Sequence, residues 1–142
     1  MTYTAQTALA AAEQARERWI DGQQRVIAVI DVSGSMPEAL TQTWADYLSG
    51  IVGVEVLTID SQVRPYVPDT AVRSSGSSYF PPLIEHIERA AVQPDRVVVF
   101  TDGGVFQPVT PQNPALWKWV VVSEYPQDAE RSLTGMEVLY AG

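Results

Sequence analysis

Apolar residues along the chain follow two spacings, one typical of helices and one typical of buried strands. Thr4–Ile20 carries its alanines and larger apolar residues at helical spacing, and Asp21-Gly22 ends this segment. Arg25–Ile30 and Arg96–Thr101 are instead continuous, β-branched runs, as expected of parallel strands that are buried on both faces. The two runs are alike, RVIAVID and RVVVFTD, and each leads into an aspartate.

The remaining segments alternate in the same way. Helices are predicted at Met36–Leu48, Pro81–Ala91 and 126–133, and strands at Gly53–Ile59, Val63–Val67, Trp117–Ser123 and Met136–Tyr140. The Asp60-Ser61 turn is too short to connect parallel strands, and Pro65 suits a sheet edge, so Val63–Val67 should be antiparallel and at or near an edge. We therefore predict an α/β fold with a doubly wound, mostly parallel six-stranded sheet, helices on both faces and one antiparallel edge strand, of the Rossmann-like kind.

The length of the chain, 142 residues, fits one domain with a single hydrophobic core. We expect residues 1–142 to form that domain, with an N-terminal helix in 1–22, the main α/β part in 25–123 and a C-terminal helix and strand in 124–142.

The charge of the chain is strongly acidic. Nine Lys and Arg residues stand against 17 Asp and Glu, which gives a net charge of −8, and Lys118 is the only lysine. This balance argues against a nucleic-acid partner and against binding to an anionic membrane. The chain has no cysteine, no signal-peptide pattern and no apolar run long enough to span a membrane, so we expect a cytoplasmic protein.

Hydroxyl side chains gather around the two aspartates that follow the buried runs. Ser33 and Ser35 come directly after Asp31, and the serine-rich loop 73–82 precedes a helix. Ligands bind beyond the carboxyl ends of the strands in open α/β sheets, so Asp31 and Asp102 face one crevice if their strands are neighbours. Two such carboxylates repel each other unless one is protonated or both hold a cation. Carboxylates, hydroxyls and water are the ligands that Mg²⁺ and Mn²⁺ prefer.

Each piece also has a simpler interpretation when it is taken alone. Ser35 could cap the second helix, because Glu38 follows at the spacing of a capping box. Asp102 could belong to a turn with the two glycines after it, the loop at 74–78 could have no role, and Asp60 reads most simply as a turn residue. These interpretations leave Asp31 and Ser33 unexplained. The order of the two aspartates and the serine-rich loop along an α/β chain favours the metal site.

The motif DVSGS, residues 31–35, resembles the D-x-S-x-S signature of von Willebrand factor A-type (VWA) domains, whose metal-ion-dependent adhesion site is built from three loops. TDG, residues 101–103, resembles their third loop. More closely, the chain is similar to the bacterial VWA-like domain often joined to metallopeptidase-type domains, whose second loop reads G-G-G-T-D-F-x-P. The stretch SGSSYFPP aligns with that loop so that Ser78 takes the threonine position, while Ser77 replaces a glycine and Tyr79 replaces an acid.

The resemblance implies a complete set of ligands. Asp31 and Asp102 would hold Mg²⁺ or Mn²⁺ directly or through water, and Ser33, Ser35 and Ser78 would supply hydroxyl oxygens. One coordination position would stay open for an Asp or Glu side chain of a partner protein, so that the cation joins the two proteins. The resemblance thus implies an interaction module that is not an enzyme, with an AAA+ ATPase or a peptidase-type protein among the candidate partners.

Two other functions are compatible with the same fold. A structural or assembly protein would use no metal. A magnesium-dependent phosphatase-like hydrolase would also place aspartates at strand ends, but the haloacid-dehalogenase pattern has a second acid where this chain has Ser33, and Lys118 lies inside an apolar strand. The chain has no glycine-lysine phosphate loop and no HExxH zinc motif, and His86 is its only histidine.

Overall fold

A computed structural model of the chain describes residues 4–34, 36–72, 76, 79–102, 108–122 and 126–141. The helices are α1 (Ala5–Ala15), α2 (Glu38–Ser49), α3 (Pro81–Glu88) and α4 (Pro126–Ser132), with a π-helical turn at Arg16–Ile20 and a 3-10 turn at Pro114–Leu116. The strands are β1 (Val26–Asp31), β2 (Val54–Ile59), β3 (Val63–Pro65), β4 (Arg96–Thr101), β5 (Trp117–Val122) and β6 (Glu137–Ala141).

The six strands form one sheet in the order β3-β2-β1-β4-β5-β6. All neighbours are parallel except β2 and β3, which pair as an antiparallel hairpin at one edge. The predicted α/β fold, with its mostly parallel sheet and antiparallel edge strand, is confirmed. The order of the strands reverses between β1 and β4, where Ile30 is in register with Phe100.

The sheet is covered by helices on both faces, as predicted. Val26, Ala28 and Ile30 of β1 pack into the core that also contains the buried residues of α1 and α2. Ile27 and Val29, which alternate with them, pack into the core that contains the buried residues of α3 and α4. Every residue of β1 is therefore buried, which explains why this strand reads as a continuous apolar run.

Two boundaries near prolines differ from the predicted ones. Helix α2 begins at Glu38 rather than Met36, because Pro37 is extended (ψ 129°) and a residue before proline disfavours helical angles. Strand β3 ends at Pro65 rather than Val67, although the N–H of Tyr66 still donates to the carbonyl of Val56 at 2.9 Å.

The predicted helix Thr4–Ile20 has two parts. After α1 ends, residues 16–20 form a single π-helical turn, which the N–H of Asp21 closes on the carbonyl of Arg16 at 2.8 Å. Trp19 and Ile20 are both buried in this turn. No helix in the described ranges is long and apolar enough to cross a bilayer.

The only lysine of the chain lies in the sheet. Lys118 of β5 is buried, and its Nζ donates to Oε1 of Glu137 on β6 at 2.9 Å. Nε1 of Trp19 donates to the other oxygen of this carboxylate at 3.2 Å. The hydrogen bond from Lys118, followed by that from Trp19, lowers the pKa of Glu137 below its ordinary value.

The variant Glu137→Gln should therefore be less stable than the wild type near neutral pH. The expected loss is only about 1 kcal/mol, because the carboxylate of Glu137 is largely exposed to solvent. Because the pKa of Glu137 is lower in the folded protein than in the unfolded chain, its carboxylate stabilises the fold at pH values above the unfolded-state pKa. This stabilisation is lost as the pH falls through the folded-state pKa. Urea unfolding of both proteins at neutral and acidic pH measures the difference, which should shrink in acid. Glu13→Gln, at an exposed position of α1, is the control. A difference that persists unchanged in acid would contradict this account.

Candidate metal centre

The carboxyl ends of β1 and β4 meet at the position where the strand order reverses. Asp31 is the last residue of β1 and is fully buried, whereas Asp102 follows β4 directly and is partly exposed. The sequence analysis made a shared crevice conditional on these two strands being neighbours, and β1 and β4 do pair in the sheet. Both aspartates therefore lie at the edge of the sheet where ligands bind in open α/β folds.

The carboxylate of Asp31 accepts hydrogen bonds from its own loop and from β4. The N–H of Ser33 donates to Oδ1 at 2.9 Å, and the hydroxyl of Thr101 donates to Oδ2 at 2.7 Å. Both donors are buried, and hydrogen bonds to a carboxylate are stronger than bonds between neutral groups. The bond from Thr101 joins the DVSGS motif to the TDG motif across the strand-order reversal.

The loop before α3 is attached to this edge through main-chain groups. The N–H of Gly34 donates to the carbonyl of Gly76 at 3.0 Å, and the N–H of Tyr79 donates to the carbonyl of Asp60 at 3.0 Å. Gly76 has φ +68°, a left-handed conformation that side chains other than glycine rarely adopt. The loops that carry the first and second predicted motifs are thus in direct contact.

Asp60, at the end of β2, has a larger role than the turn residue that the sequence suggested. Its carboxylate is buried and accepts Nη1 of Arg64 at 3.1 and 3.0 Å and the N–H of Gln62 at 2.8 Å. This ion pair closes the β2–β3 hairpin, and the same residue holds Tyr79 through its carbonyl. The available signal was an acid after a buried strand with an arginine four residues later.

Three of the five predicted ligands, Asp31, Ser33 and Asp102, belong to the residues that the structure describes. Asp31 and Ser33 lie together, and Asp102 is adjacent to Thr101, which contacts Asp31. Ser35 and Ser78 lie outside the described residues, and so does the alternative in which Ser35 caps α2. Thr101 was noted only as part of a motif, and its hydroxyl is the group that the sequence analysis missed.

The donor atoms at this edge are carboxylate and hydroxyl oxygens, which suit hard divalent cations. No group of three or more His, Cys, Asp or Glu side chains suited to a metal occurs among residues that the structure describes. The predicted site has only two carboxylates and takes its other ligands from serines. It is therefore a different kind of site from a cluster of acids or histidines.

Comparison with known proteins gives no match. No family model, no curated protein and no solved structure matches the chain. The resemblance to VWA domains stays a prediction that depends on the motifs at 31–35 and 101–103.

Thr101→Val should destabilise the protein by about 1–3 kcal/mol, because it removes a buried donor to a buried carboxylate while keeping the volume of the side chain. Thr41→Val is the matched control. Its hydroxyl is equally buried but donates to the carbonyl of Glu38 in its own helix, so its loss should matter less. Urea unfolding of both variants measures the two free energies. Equal losses of unfolding free energy would show that the Thr101–Asp31 hydrogen bond stabilises the fold no more than the hydrogen bond of Thr41 within its helix.

Proposed function

We propose that the protein is a VWA-type interaction module that binds an acidic side chain of a partner protein through Mg²⁺ or Mn²⁺. The observation that supports this proposal is the 2.7 Å hydrogen bond between Thr101 and the buried carboxylate of Asp31 at the strand-order reversal. It brings together two motifs that lie far apart in the sequence, at the edge of the sheet where the proposal needs them.

The residues at this edge fit a hard cation. Asp31 and Asp102 would supply carboxylate oxygens, and Ser33, Ser35 and Ser78 would supply hydroxyl oxygens. The carboxylate of Asp31 is buried and accepts from the N–H of Ser33 and the hydroxyl of Thr101, which fixes its oxygens at this edge of the sheet. A divalent cation bound here would attract both carboxylates of the proposed site.

The acidity of the chain explains why partner binding would depend on metal. With a net charge of −8, the domain repels an acidic partner at long range. The bound cation would supply a local positive charge that an Asp or Glu of the partner can reach, while Thr101 and Ser33 keep Asp31 in place. Such a module makes and breaks no covalent bonds, and an AAA+ ATPase or a peptidase-type protein fits the role of partner.

Mg²⁺ or Mn²⁺ should raise the melting temperature, because the folded protein binds the cation and the unfolded chain has no such site. At a concentration a hundred times Kd, this linkage amounts to about 2.7 kcal/mol. Asp102→Ala should abolish the increment, because it removes one of the two carboxylates that would bind the cation. Glu55→Gln, exposed near the amino end of β2, is the control for the lost charge. A wild-type melting temperature that is unchanged at millimolar cation would contradict the proposal.

The serine ligands can be tested by calorimetric titration with Mg²⁺ or Mn²⁺. Ser33→Ala should weaken cation binding while keeping the hydrogen bond to Asp31, because that bond comes from the main-chain N–H. Ser78→Ala should weaken cation binding as well. Ser35→Ala should do so and, if this residue also caps α2, lower metal-free stability by about 1 kcal/mol.

Ser49→Ala is the control for these variants, since its hydroxyl donates to a carbonyl within α2. Wild-type cation affinity in both Ser33→Ala and Ser78→Ala would leave DVSGS as no more than the end of a strand and the start of a helix.

A further inference from the structure

The segment 66–72, which leads from the β2–β3 hairpin to the serine-rich loop, is attached to α2 by the side chain of Gln42. Its Oε1 accepts the N–H of Val72 at 2.7 Å, and its Nε2 donates to the carbonyl of Thr70 at 3.1 Å. Nε2 also donates to Oδ1 of Asp46 at 3.0 Å, one helical turn further along α2. Carbonyl and carboxylate oxygens accept and a main-chain N–H donates, so these partners fix the orientation of the amide.

The hydroxyl of Tyr66 belongs to the same set of hydrogen bonds. It lies 3.0 Å from Oδ1 of Asp46 and 3.1 Å from the carbonyl of Thr70, and it accepts from Nε2 of Gln42 at 3.2 Å. Burial, followed by the hydrogen bond to Asp46, raises the pKa of Tyr66, so this hydroxyl keeps its proton at neutral pH. Gln42 is bonded to both residues and to the main chain of the segment, and it therefore joins the segment to α2.

The loop that follows this segment is held by two main-chain hydrogen bonds. The carbonyl of Gly76 accepts the N–H of Gly34 at 3.0 Å, and the N–H of Tyr79 donates to the carbonyl of Asp60 at 3.0 Å. Gly34 belongs to the DVSGS motif, and Gly76 comes two residues before Ser78 in the sequence. The bond from α2 holds the chain just before this loop, so the main chain is fixed before it, within it and at its end.

We propose that Gln42 is a positioning residue of the metal centre, an inference that rests on the proposed function. Gln42 acts through the main chain at Val72, which is the last described residue before the loop that carries Ser78. A loop that is already held in its binding conformation loses less conformational freedom when the cation binds, so the cation binds more tightly. Helix α2 thus contributes to cation affinity through a side chain that is not itself a ligand.

Calorimetric titration with magnesium chloride compares the wild type with Gln42→Met. This variant removes the amide, and methionine suits the interior of a helix as well as glutamine does. The side chain of Val72 is buried, so the segment keeps its apolar packing in the variant. Mg²⁺ binding should weaken about threefold. This is below the limit of about fivefold that corresponds to the net free energy of one neutral hydrogen bond.

Gln93→Met is the matched control. The amide of Gln93 donates to the carbonyls of Ile87, Glu88 and Ala90 at the end of α3, at 3.1, 3.3 and 2.8 Å. Gln93 precedes β4 and therefore lies at the opposite end of the sheet from the metal centre. Gln93→Met should lower the melting temperature and leave the Mg²⁺ affinity unchanged. An equal loss of Mg²⁺ affinity in both variants would overturn the inference, because reduced stability alone would then explain it.

Amide hydrogen exchange tests the same inference in the wild type. Coupling is reciprocal, so a Gln42–Val72 bond that strengthens Mg²⁺ binding threefold is itself stabilised threefold by bound Mg²⁺. Exchange of the Val72 N–H, followed by nuclear magnetic resonance, should therefore slow about threefold in saturating magnesium chloride. The N–H of Arg25 is the control, because it donates to the carboxylate of Asp95 at 2.9 Å at the opposite end of the sheet. Its exchange rate should not respond to Mg²⁺.

The outcomes separate this inference from the proposed function. Wild-type Mg²⁺ binding with unchanged exchange at Val72, or with unchanged affinity in Gln42→Met, would overturn the inference alone. Absence of Mg²⁺ binding in the wild type would overturn the proposed function and the inference with it. If Gln42→Met does not fold, the exchange rate of Val72 in the wild type decides.

Discussion

The buried carboxylate of Asp31 is the constraint on which the rest of the candidate site depends. A carboxylate without solvent contact needs donors at fixed positions, and the chain supplies them from its own loop and from β4. The donor from β4 is within reach only because β1 and β4 are neighbours at the strand-order reversal. The topology of the sheet and the local chemistry of DVSGS are therefore linked at this carboxylate.

Most of the fold could be predicted because its strands are strongly patterned. The β-branched runs of β1 and β4 have few alternatives to a buried parallel strand, and the Asp60-Ser61 turn permits only a hairpin. The predicted bounds were wrong at element ends near prolines, at Pro37 before α2 and at Pro65 in β3. The π-helical turn after α1 could not be predicted, since the apolar spacing of Thr4–Ile20 fits an ordinary α-helix as well.

The candidate site was less predictable than the fold. Asp31 and Ser33 come together through a local turn, so their proximity follows from their spacing. The hydrogen bond from Thr101 joins residues that are 70 positions apart and depends on the register of two strands. The Asp60–Arg64 ion pair required the geometry of the hairpin, which brings an arginine back over the end of β2. Sequence patterns identify the acids, whereas their partners depend on tertiary structure.

The position of Lys118 has a practical consequence for chemical modification of this protein. It is the only lysine of the chain, and its side chain is 9% exposed and bonded to Glu137. Because this amine is buried between β5 and β6, an acylating reagent reaches it in the folded protein only when β6 separates from β5. The rate of acylation at this one side chain thus measures how often that edge of the sheet opens. Surface cross-linking of the folded domain, by the same reasoning, requires reagents directed at carboxylates.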